Sequence, residues 1–173
     1  MKRTAVALLF TLLQTSLYAE NRWIDFVFTV EDYPTDRIVE SLVAGHRSEV
    51  RYEIRLLKRV TGLRRILGDL LIHREEISYV ARWDALDELF VVQIDGTQER
   101  TFAEKEPFIA FFLSLTDHRI RPGQEIPPEG YLLCRSRIQP IKLVPPLTLM
   151  TLLRSDLQTI SEWTEIPIGH SGQ

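Results

Sequence analysis

The chain has 173 residues, 45% hydrophobic and 26% charged, with 21 Lys+Arg against 24 Asp+Glu and a formal net charge of −3. That is enough apolar material for one core, which excludes wholesale disorder. The mildly acidic balance argues against nucleic acid as a partner, which normally demands a basic face, and gives no general attraction to anionic lipid.

Residues 1–19 have the three-part layout of a secretory signal peptide: Lys2 and Arg3 at the start, an apolar run over 5–13 interrupted only by Thr11, and a more polar exit ending at Ala19. The run is about half of the ~20 apolar residues that a spanning helix needs. Ala19 suits a cleavage site, whereas Leu17 stands where a small residue is usual. The expectation is an exported chain, periplasmic or envelope-associated, with its mature part starting at Glu20 and no transmembrane helix after cleavage. Taking 19 residues from 173 leaves 154. Loss of Lys2 and Arg3 leaves 19 basic against 24 acidic residues, a charge of −5. The mature part divides into a single β-rich domain over 20–154 and a C-terminal extension over 155–173, whose end from His170 is expected to be disordered.

Residues 23–30 open the mature part, with Ile24, Phe26, Phe28 and Val30 at one parity, as in a half-buried strand. A turn at 33–36 leads into a short helix over 37–43, capped by Thr35 or Asp36 and stopped at Ala44 and Gly45. The clearest periodicity follows. Val50, Tyr52, Ile54 and Leu56 alternate with Glu49, Arg51, Glu53 and Arg55, which predicts a strand with one face on a core and one in water. Thr61 and Gly62 mark a turn and 63–69 a basic connection. A strand over 70–83 then puts Ile77, Tyr79, Ala81 and Trp83 on one side. Residues 84–87 connect to a strand over 89–94, and Asp95-Gly96 predicts a hairpin returning through 97–102.

An amphipathic helix is expected over 103–115, carrying Phe108, Ile109, Phe111, Phe112 and Leu115, with Thr101 as a cap. A loop over 121–130 precedes the last long strand, 131–144, in which Leu132, Cys134, Ser136 and Ile138 share a face. Pro140 cannot donate to a sheet ladder, so the strand bends or lies at an edge there. Pro145 and Pro146 end it, and 147–153 is short helix or loop. These segments predict a mainly β, α+β domain: an antiparallel sheet, sandwich-like or curved, with one or two helices packed on it.

Chemistry-bearing motifs are few. Cys134 is the single cysteine, so no intramolecular disulfide can form, and a buried apolar role is expected. No nucleophile elbow, zinc-protease motif or phosphate-cradling glycine loop occurs. His46, His73, His118 and His170 show no metal-ligand spacing. No catalytic residue, metal or cofactor is expected. Asp84, Asp87 and Glu88 beside a turn read as solvating and capping it.

Two basic features suggest an interaction surface. Lys58, Arg59, Arg64 and Arg65 flank Gly62, and Arg135 with Arg137 projects from one strand face. Arginine forks bind carboxylate or phosphate, so an acidic protein or an anionic envelope component fits either.

The segment 37–45 before the alternating strand, the Trp83-Asp84 step before 89–94, a helix initiated at Phe102, and a Tyr131 strand leading into 141–147 together resemble a family of secreted bacterial proteins, domain-of-unknown-function family 4390. The resemblance covers about residues 23–153 and leaves out the tail from Ser155, with Trp163. It implies an exported, mostly β domain and carries no catalytic residues. The expectation is a non-enzymatic module that binds a protein or an envelope component through the arginine faces, through an open edge near Pro140, or through 108–112. A small-ligand carrier and, less favoured, an enzyme acting on envelope polymers are the alternatives.

Overall fold

The structure, a computed structural model, describes residues 23–31, 33–116, 118–123, 126–141 and 158–168, the side chains of 63–65 excepted. The signal segment, the stop at Pro145 and Pro146, the 147–153 segment and the tail from His170 lie outside the described residues.

Alternation of apolar and charged residues decides the central layer. The strand β3 (Ser48–Lys58) buries Val50, Tyr52, Ile54 and Leu56 completely or nearly so. It lies between β4 (Leu70–Asp84) and β9 (Gly130–Gln139), antiparallel to both. Beyond β4 come β5 (Leu89–Ile94) and β6 (Gln98–Phe102), again antiparallel. On the outer side of β9 sit β10 (Thr159–Ile160) and β11 (Thr164–Pro167), completing a seven-stranded sheet. Part of the extension that the sequence sets apart after residue 154 thus belongs to the sheet.

Two helices and two short strand pairs cover one face of this sheet. The helices are α1 (Thr35–Val43) and α2 (Lys105–Phe112). The pairs join β1 (Ile24–Asp25) to β8 (Arg119–Ile120) and β2 (Phe28–Thr29) to β7 (Ser114–Leu115). Among the described residues the architecture is mainly β, with antiparallel sheets and two α-helices. The space between the layers is filled by aromatic rings. Tyr79 stacks on Phe111 with centroids 5.3 Å apart, Phe90 on Phe108 at 4.5 Å, and Tyr52 meets Tyr79 edge-on. The Tyr52 hydroxyl donates to the Phe112 carbonyl at 2.7 Å, which satisfies a buried polar group and ties α2 to β3.

Local chemistry explains several boundaries and corrects others. Helix α1 starts at Thr35, two residues early, and neither Thr35 nor Asp36 caps it: Pro34 holds the cap position without a side-chain bond. Its end is a Schellman arrangement, in which Gly45, at φ 85°, donates to Leu42 and His46 donates to Ser41. Helix α2 stops at Phe112 because Ser114 and Leu115 pair with β2 instead, and Thr101 lies inside β6 rather than at the cap. The opening strand keeps its parity, with Ile24, Phe26 and Phe28 buried, but is divided between two partners.

The edge at Pro140 is not open. Ile138 and Arg137 of β9 pair with Thr159 and Ile160, and the Pro140 carbonyl accepts from the hydroxyls of Ser41 (2.8 Å) and Ser48 (2.6 Å). Phe108 and Phe112 are fully buried, and Ile109 and Phe111 are half-buried against the core, so the phenylalanines of this stretch serve packing.

Candidate functional site

The sheet face opposite the helices carries the charge. Because side chains alternate along a strand, Arg51, Glu53 and Arg55 leave β3 on the side away from Tyr52 and Ile54. Register adds their neighbours. On the β9 side Arg137 stands opposite Arg51 and Arg135 opposite Glu53; on the β4 side Glu76 stands opposite Glu53 and Arg74 opposite Arg55.

Glu53, only 8% exposed, gathers three arginines. Arg55 donates from Nε (2.9 Å) and Nη2 (2.6 Å) to Oε1, Arg135 donates with the same geometry to Oε2, and Arg74 Nη2 lies 3.1 Å from Oε1. Burial opposes ionisation of Glu53, but the hydrogen bonds from Arg55 and Arg135, together with their charges, outweigh it and hold the carboxyl below its ordinary range. Arg51 approaches Glu49 at 3.3 Å and Glu76 at 3.7 Å. The guanidinium carbons of Arg55 and Arg135 lie 4.5 and 4.4 Å from the Trp163 ring centroid, so the C-terminal segment roofs one end of the network.

A cleft of about 190 Å³ opens here, lined by Arg51, Arg74, Arg135 and Arg137 with Glu53 and Glu76. Arg137 has no ionic partner among the described residues. Around the cleft, Arg51, Arg55, Arg74, Arg135 and Arg137 outnumber Glu49, Glu53 and Glu76 by two, while Glu99 and Glu165 lie farther out on the same face. The face expected to lie simply in water is instead a half-buried ionic network.

The two basic groups read from the sequence belong to different places. Arg135 and Arg137 sit in the cleft. Lys58 lies at the end of β3, seven residues from Arg51, or roughly 23 Å along the strand. Arg59 beside it pairs with Glu165 and covers the Tyr131 ring at 4.9 Å. Arg64 and Arg65 fall in a 3₁₀ helix, Gly62–Leu67, and their side chains lie outside the described residues. Arg51 and Arg55 could have been found from the β3 alternation, which puts them on one face. Arg74 and Trp163 carry no local signal, since strand register and a fold-back of more than 100 residues bring them in.

Other reactive groups do not converge on the cleft. Asp84 Oδ1 accepts from the backbone N–H groups of Leu86 and Asp87 while Arg82 donates to Oδ2, so it caps its turn. Cys134 faces the core, where burial pushes its thiol up to about 12. It is level with Glu75 of β4, nine residues or roughly 30 Å from Asp84. His73 and His118 approach the two oxygens of Glu75 at 3.5 and 3.3 Å. No group of three His, Cys, Asp or Glu among the described residues is placed to hold a metal.

No family model, curated protein or solved structure matches this chain. The resemblance to family 4390 therefore rests on the order of its segments, and the arginine face supplies the physical basis for a functional reading. Among the described residues no helix is long and apolar enough to cross a membrane.

Proposed function

We propose that this chain is an exported, non-enzymatic binding domain of the cell envelope, and that the arginine face holds the carboxylate groups of an acidic partner protein. Export rests on the layout of residues 1–19. The observation that carries the binding reading is Arg137, without an ionic partner among the described residues and directly opposite Arg51. Like charges directly opposite across a strand pair repel. Glu53 answers the same problem between Arg55 and Arg74. Nothing equivalent serves Arg137 among the described residues, and a carboxylate entering from outside would supply that charge. Arg135 already shows the two-pronged geometry that such a group receives, toward Glu53.

Binding of a labelled hexaglutamate peptide, read by fluorescence anisotropy, tests this. Arg137→Gln is expected to weaken binding about fivefold or more, and 0.5 M salt to abolish it. Lys58→Gln, at the far end of the sheet, should leave binding nearly unchanged. Equal binding by wild type and Arg137→Gln would sink the assignment.

A further inference from the structure

The end of the β3–β4 hairpin exposes apolar residues that the fold does not use. Nine large hydrophobic residues are exposed in the described structure, and four of them fall within 66–71: Ile66 at 87%, Leu67 at 88%, Leu70 at 56% and Leu71 at 50%. These four stand in water at one end of the hairpin.

The base of this tip is fixed. Asp69 Oδ1 accepts from the Val60 backbone N–H at 3.0 Å, and its Oδ2 accepts from the Tyr131 hydroxyl at 2.5 Å. That ties the one acid of segment 58–71 back to the body of the protein. Four cations, Lys58, Arg59, Arg64 and Arg65, belong to the same segment. Arg59 is engaged by Glu165, Lys58 is exposed at the end of β3, and Arg64 and Arg65 add two further positive charges to the segment.

We infer that this hairpin tip docks on the surface of an anionic lipid bilayer, with Ile66, Leu67, Leu70 and Leu71 entering the headgroup–acyl boundary and the neighbouring cations meeting lipid phosphates. Charge complementarity selects this occupant. Exposed apolar residues in a segment that carries four cations and one acid, on a chain that is acidic elsewhere, match the two forces that hold peripheral elements on membranes: burial of apolar area to a depth of ~5–10 Å, and attraction to anionic headgroups. The tip lies at the opposite end of β3 from Arg137, so docking leaves the arginine face in water. The inference uses none of the residues of the proposed carboxylate site and stands independently of it.

Co-sedimentation of the chain from Glu20 onward with vesicles tests it, comparing phosphatidylcholine alone with a 3:1 mixture of phosphatidylcholine and phosphatidylglycerol. The mixed vesicles should bind the protein and the neutral ones should bind it much less. Ile66→Ser with Leu67→Ser is expected to reduce binding at least tenfold. Arg64→Gln with Arg65→Gln is expected to reduce it by about fivefold per charge removed. Ile66 and Leu67 are at the surface, and unchanged circular dichroism of both double variants will confirm folding. A Leu67→Trp variant supplies a local readout, with blue-shifted emission on adding mixed vesicles. No sedimentation of the wild type with mixed vesicles, or equal binding by the Ile66/Leu67 variant, overturns the inference in favour of a protein partner at the tip.

Discussion

At Glu53 one carboxylate serves three guanidinium groups, and its removal leaves Arg55, Arg74 and Arg135 facing one another. All three arginines keep some solvent contact, which lets them turn toward water and limits the loss. Glu53→Gln is expected to cost about 1–2 kcal/mol at neutral pH, measured by urea unfolding. The same residue sets a pH dependence. Its folded pKa lies below the ordinary value of 4.5, so the unfolded chain takes up a proton first as pH falls. The stabilisation is fully present above the unfolded value and disappears as pH drops through the folded one. Wild-type stability should therefore decline below about pH 4.5, and Glu53→Gln should show a shallower decline. Parallel curves for the two proteins would show that Glu53 is not the group responsible.

Hairpins and helices differ in how closely their ends follow local chemistry. The β5–β6 turn places Asp95 at φ 46° and Gly96 at φ 72°, the left-handed pair that a two-residue hairpin needs. Asp95 also exchanges bonds with Ser78, donating its own N–H to the carbonyl and accepting the Ser78 N–H on Oδ1. A Cβ added at Gly96 meets nothing within 4 Å, so Gly96→Ala carries only a conformational cost of about 1 kcal/mol, or a melting shift of about 3 °C. A thermal melt checks this, and a shift beyond about 6 °C would mean that the turn carries more than backbone strain. Helix starts follow local chemistry less closely. Asp36 has the chemistry of a cap, yet its carboxylate accepts from Lys105 of α2 at 2.7 Å instead. A side chain with two satisfactory partners is assigned by whichever element the fold brings near.

The sheet as a whole is finished by its last residues. Strands β10 and β11 cover the outer edge of β9 and carry Trp163 over Arg55 and Arg135. Deleting residues 155–173 should lower unfolding stability by roughly 2 kcal/mol and, with a long edge uncovered, promote concentration-dependent association visible by light scattering. Unchanged stability and a monodisperse product would show that the segment is a bystander. What the sequence determined alone was the sidedness of its strands: Val50 to Leu56, Ile77 to Trp83 and Leu132 to Ile138 each alternate toward one core because side-chain direction repeats every two residues, a local property. The Asp95-Gly96 turn and the buried role of Cys134 were legible for the same reason. Only the tertiary structure decided that Glu53 meets Arg135 82 positions away, that Arg137 stands opposite Arg51, and that Trp163 lies over Arg55 and Arg135. Strand neighbours and register are chosen by the joint burial of many distant segments, and no short window of sequence contains that choice.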